Sequence, residues 1–147
     1  MNDDGSKDLK ENSANNRDFD LEILLSDYEL FGIYITILGY MLLAEGAKET
    51  KRVILLEKQG VENITDNSAI TSSLANKIIL IGITLLSNVA FSRLQQEKKG
   101  LDPTENPLSI SGVSDTYIGY AINVLAEAYK VIGSEKIISS LQNIDIE

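Results

Sequence analysis

The chain has 147 residues, 22 acidic against 13 basic side chains, a formal net charge of -9, and neither cysteine nor histidine. Without those two residue types there are no disulfides, thiolate metal sites or cysteine nucleophiles, and no imidazole for acid–base or metal chemistry. The acidic balance argues against nucleic acid as a partner, because the densest basic stretch, Lys48, Lys51, Arg52 and Lys58, is interleaved with Glu45, Glu49 and Glu57.

Met1 to Arg17 is rich in Asn, Asp, Lys, Ser and Gly and has little to bury, so residues 1–17 are expected to be a disordered tail. A single helical domain is expected over 18–147. Asp18 or Asp20 can cap a first long helix, in which Leu21, Leu24, Leu25, Tyr28, Phe31, Ile35, Leu38 and Leu42 keep the three-and-four spacing of one face. The pattern continues through Val53 and Leu56 to Gly60, a natural left-handed cap. Thr65, Asp66 and Ser68 are candidate caps for a second helix through Ile70, Leu74, Ile78, Ile81, Leu85, Val89 and Leu94, ending near Lys98 and Gly100.

Gly100 to Val113 holds both prolines and reads as a loop. Ser114 or Asp115 should then start a third helix through Ile118, Ile122, Leu125 and Tyr129, interrupted at Gly133. Ser134 should restart a short final helix through Ile137, Ile138 and Leu141. No segment alternates over a strand's length. The expected fold is all-α: an antiparallel, up-down-up helical bundle of three main helices plus a short C-terminal helix.

Leu30–Ala44 and Ile78–Ser92 carry no charge and are apolar on every side. Folding the first two helices about a Gly60–Asp66 turn should bring these runs to the same height, as a belt of about 22 Å at about 1.5 Å per residue. Helices apolar all round must be covered all round. A tightly wrapped monomer, other copies of the chain and lipid are the three covers to consider. Each run is about 15 residues, short of the ~20 of a spanning helix, so a membrane hairpin would need a thinned bilayer and snorkelling by Lys77 and Arg93. Gly32, Gly39 and Gly46 recur at heptad spacing, making a smooth strip where another helix can lie. Three glycines in a helix suggest a compensating contact. A self-association interface is therefore expected over Gly32, Ile35, Gly39, Leu42, Gly46, Ile81 and Leu85.

Nucleotide loops, a nucleophile elbow and a calcium loop are all missing from the sequence. Glu45 and Glu49 stand one helical turn apart beside Lys48 and Arg52, which reads as a solvated, salt-bridged face. No catalytic residue, cofactor or metal site is expected. No secretory signal is visible, which fits the cytoplasm or the cytoplasmic membrane, or a non-classical route to a cell or spore surface. Heavy use of Ile, Lys and Asn suggests an AT-rich bacterial genome. The expected function is a non-enzymatic structural protein that associates with itself, as an oligomer or filament subunit. The alternatives are a small integral membrane protein with a helical hairpin over about 30–44 and 78–92, and a helical binding module for an apolar ligand or partner helix.

Overall fold

A computed structural model describes residues 19–100 and 107–144 as three α-helices: α1 (Phe19–Lys58), α2 (Ser68–Gly100) and α3 (Pro107–Ile144). The fold is all-α. The expected tail over 1–17 lies outside the described residues.

The ends of α1 and α2 follow from local chemistry. α1 closes on Gly60, which takes a left-handed φ of 75°. Val61 N–H reaches back to the Leu56 carbonyl at 3.1 Å and Gly60 N–H to Glu57 at 2.9 Å, so the last free carbonyls are satisfied. Of the three candidate caps for α2, Asp66 is the one used: its carboxylate accepts the Ser68 N–H at 2.8 Å.

α3 departs from expectation at two places. It begins at Pro107, where a proline without an amide hydrogen suits a first helical turn. Ser114 and Asp115 are therefore interior rather than caps, and of the expected loop only 101–106 lies outside the described residues. The separate short C-terminal helix does not exist, because α3 runs unbroken through Gly133 to Ile144. An interior glycine costs only up to about 1 kcal/mol relative to alanine, too little to break a long helix packed on a neighbour. Ser134, read as a restart signal, instead donates its hydroxyl to the Val131 carbonyl at 2.9 Å.

α2 is the middle of the molecule. Its buried apolar residues, Ala75, Ile79, Ile83, Leu86, Val89, Ala90 and Leu94, make up most of the core; Leu25 and Val53 of α1 add to it. The α1 contacts run in reverse order along α2. A Cβ on Gly32 would meet Leu86, one on Gly39 would meet Ile79 and Ala75, and one on Gly46 would meet Ser72 and Ser68. On the other side, Ser73 and Lys77 meet Glu135, while the Phe91 ring lies 5.3 Å from Tyr117. No Cα of α1 comes within 8 Å of a Cα of α3. Among the described residues the three helices therefore form an open row, α1–α2–α3, with no helix covering the far sides of the outer two.

The register corrects the expected height of the apolar belt. Gly39 sits beside Ala75 and Ile79, so the charge-free run of α1 lies against α2 near residues 72–86 rather than 78–92. The offset is about six residues, or ~9 Å at ~1.5 Å per residue. The cause is the connection. α2 starts level with Gly46, while α1 continues to Lys58, so residues 59–67 must climb back along the last turns of α1. Arg52 holds this return segment, donating to the Thr65 carbonyl at 3.2 Å.

Candidate functional site

The glycine strip is occupied by the chain's own second helix. Leu25, Gly32, Gly39, Gly46 and Val53, each one heptad from the next, are all buried. A Cβ built on Gly39 would stand 2.5 Å from Ile79 Cγ1, 2.9 Å from the Ile79 amide nitrogen and 3.1 Å from the Ala75 carbonyl oxygen. On α2, Gly82 answers the strip, and a Cβ there would strike the Thr36 hydroxyl and stand 2.8 Å from the Gly32 carbonyl oxygen. The helix that the strip was expected to receive is therefore α2 of the same chain, and in this fold Gly32, Gly39 and Gly46 are not open to a second copy. Of the other residues assigned to an interface, Ile35, Leu42 and Leu85 are half-buried and Ile81 is 56% exposed.

Hydroxyls in the band, and Thr50 just beyond it, turn inward onto their own helices. Thr36 donates to the Gly32 carbonyl at 2.8 Å, Thr50 to Gly46 at 3.1 Å and Thr84 to Leu80 at 2.7 Å. Such back-bonding removes these groups from the list of wet surfaces that a monomer would need.

What stays uncovered is extensive. On α1, Leu30, Phe31, Tyr34, Ile37, Leu38, Tyr40 and Met41 are each about half exposed or more. On α3, Ile118, Ile122, Leu125, Tyr129 and Ile132 repeat at alternating steps of four and three and are all exposed. This is a helical seam that none of the described residues fills. The spacing of Ile118, Ile122, Leu125 and Tyr129 marks this face of α3 in the sequence, whereas Leu30, Tyr34, Ile37 and Met41 of α1 lie off the face expected to pack.

Charged side chains tie the row together. Arg93 meets Glu29 across α1 and α2 at 2.7 Å, and this bond raises the guanidinium above its ordinary value. Ser73, almost wholly buried, donates to Glu135 at 2.6 Å, and Lys77 reaches the same carboxylate at 2.7 Å. The bonds from Lys77 and then Ser73 hold Glu135 below the usual glutamate range. A carboxylate depressed in the folded state stabilises above its unfolded value and loses that contribution as pH falls through the depressed value. Glu135→Gln should therefore lower the melting temperature at neutral pH, with the difference from wild type vanishing in acid. Melts at neutral pH and well below the ordinary value of 4.5 test this. A difference independent of pH would show that the carboxylate charge is irrelevant to docking.

At the height of the α1 charge-free run, α3 carries the Glu127–Lys130 pair, at 2.6 Å, and Glu135. Glu127 is 4% exposed and its Oε2 has no partner among the described residues. A cleft of about 190 Å³ between α2 and the facing turns of α1 and α3 is lined by Leu86, Ala90, Val113, Thr116 and Tyr120, with the Glu29–Arg93 pair at its edge. It is smaller than the ~300 Å³ where small-molecule sites begin. Among the described residues no group of carboxylates converges as metal ligands would. The chain matches no family model, no curated protein and no solved structure.

Proposed function

We propose that this is a non-enzymatic structural protein that associates with itself, its up-down-up row of helices being completed by further copies. The observation that carries this reading is the uncovered apolar surface along both outer helices, at a height where α3 also presents charge. In water, an exposed band of Phe31, Tyr34, Ile37, Leu38 and Met41 exceeds what a monomer ordinarily shows. A second copy can cover apolar and charged side chains together, because both have helical counterparts to meet.

Lipid is the competing cover. Two helices, Phe19–Lys58 and Ser68–Lys99, contain windows of mean hydropathy 1.6 and 1.7, long and apolar enough to cross a membrane, with only 17% and 39% of those windows buried. Low burial favours this reading over that of ordinary soluble core helices. Against it, α3 packs beside α2 and would bring Glu127, Lys130, Glu135 and Lys136 to the same depth: the Glu127–Lys130 and Lys77–Glu135 pairs would have to be desolvated together, and Lys136, with no ion-pair partner among the described residues, would cost up to about 2.5–3.5 kcal/mol on insertion scales.

Expression without detergent followed by light scattering separates the two. The expected result is a soluble species whose mass is a multiple of the chain. A strict detergent requirement, with retention in alkali-washed membranes, would replace this reading with the membrane one; a folded monomer at micromolar concentration would end both.

A further inference from the structure

On the side of α1 facing away from α2 runs a second heptad seam. Ile23, Leu30, Tyr34, Ile37, Met41 and Leu55 form its apolar part, and each is 48–65% exposed. The seam continues at the same alternating steps into Asp20 and Asp27 at one end and into Lys48, Lys51 and Lys58 at the other, all exposed. Asp20, Asp27, Lys51 and Lys58 have no ion-pair partner among the described residues; nearby Glu45 and Glu49 are taken by Lys48 and Arg52. One edge of the helix is thus acidic at its start, apolar in its middle and basic at its end.

Such a seam is complementary to itself only when reversed. We infer that two copies of the chain pair antiparallel along this face of α1, about a twofold axis level with Gly39. This rests on the self-association reading and names the face it uses. In that register Ile37 packs against Met41 of the second copy, Tyr34 against Ala44, and Ile23 against Leu55. Leu30 lies under the aliphatic stem of Lys48, whose ammonium can reach water. Asp27 meets Lys51 and Asp20 meets Lys58, twice each by symmetry. A seam residue preceding a four-step on one helix meets one following a four-step on the other throughout, as antiparallel coiled coils require. The parallel alternative would stack Asp27 on Asp27 and Lys51 on Lys51, and like charges facing one another disfavour it. The seam lies opposite the buried Leu25, Gly32, Gly39, Gly46 and Val53, so α2 does not obstruct it. The interface is isologous and closes as a dimer.

Charge exchange and cross-linking test this on the full chain. Asp27→Lys should weaken the dimer by about tenfold or more, because the introduced lysine faces Lys51 at two symmetric places. Adding Lys51→Asp to the same chain should restore most of the affinity. Both positions are exposed, so circular dichroism should show unchanged helicity. The chain has no cysteine, so Leu38→Cys, beside the axis, should be joined to its copy by a short bis-maleimide. Ile23→Cys alone should not, since its two copies would lie about 48 Å apart at ~1.5 Å per residue. Self-linking at Ile23→Cys without linking at Leu38→Cys would overturn the antiparallel register. A wild-type oligomer indifferent to Asp27→Lys and unlinked at Leu38→Cys would place assembly elsewhere, on the α3 seam for example, sinking this inference while the self-association reading stands. A monomeric wild type would sink both.

Discussion

Gly39→Ala should lower the melting temperature by several degrees, although alanine is the better helix former. On an open helix this exchange would raise stability by up to about 1 kcal/mol. Here the new methyl group would enter the Ile79 side chain and stand 2.9 Å from the Ile79 amide nitrogen. Neither obstacle is the free end of a flexible chain, so α1 and α2 must move apart, and overpacking of this kind costs about 1–3 kcal/mol. Gly39→Leu should cost more, read as loss of the helical hairpin by circular dichroism. The strip itself supplies the controls. At Gly46 the nearest atom is the Ser72 hydroxyl, which can rotate away, so Gly46→Ala should be milder. At Gly119 on α3 nothing lies within 4 Å, and Gly119→Ala should be neutral or stabilising. The expected ranking is therefore Gly39, then Gly46, then Gly119. A Gly39→Ala protein that melts higher than wild type would mean that α2 does not lie on the strip.

Much of the fold was legible because its signals are local. Asp66 and Gly60 do at the ends of α2 and α1 what their chemistry suggests, and the heptad glycines foretold a closely lying helix. The identity of that helix was not legible, since a glycine strip says how near a neighbour comes and not whose it is. The height of the belt was misjudged because loop length alone does not reveal that residues 59–67 run back along α1, held by Arg52 at Thr65. The break at Gly133 was over-read: one glycine's backbone penalty was allowed to outweigh a long helix packed on α2. The outward face of α3 was legible in the spacing of Ile118, Ile122, Leu125 and Tyr129, but spacing alone does not say whether a face is covered, and on α1 the exposed Leu30, Tyr34, Ile37 and Met41 lie off the face expected to pack.

Lys130→Met should destabilise the chain by about 1–3 kcal/mol, the usual cost of leaving a buried polar group without its partner. Glu127 is 4% exposed on the side of α3 that faces inward, and its Oε1 accepts from Lys130 at 2.6 Å. The bond raises the lysine above its ordinary value. With Oε2 already unpartnered, removing the ammonium leaves both carboxylate oxygens buried without a donor, so α3 must shift on α2 to bring them to water. Replacing both residues, Glu127→Leu with Lys130→Met, should recover the loss and can exceed wild-type stability, because well-packed apolar side chains often outperform a buried ion pair. Urea melts of the wild type, both single variants and the double variant close this cycle at one ionic strength. A Lys130→Met chain as stable as wild type would show that Glu127 reaches water in solution. The same double variant bears on assembly. It removes two of the charges that make lipid an expensive cover for the row, so in the self-association reading it should still purify as a detergent-free oligomer. Loss of detergent-free solubility on this exchange, with stability retained, would show that the Glu127–Lys130 pair is what keeps these helices out of a bilayer.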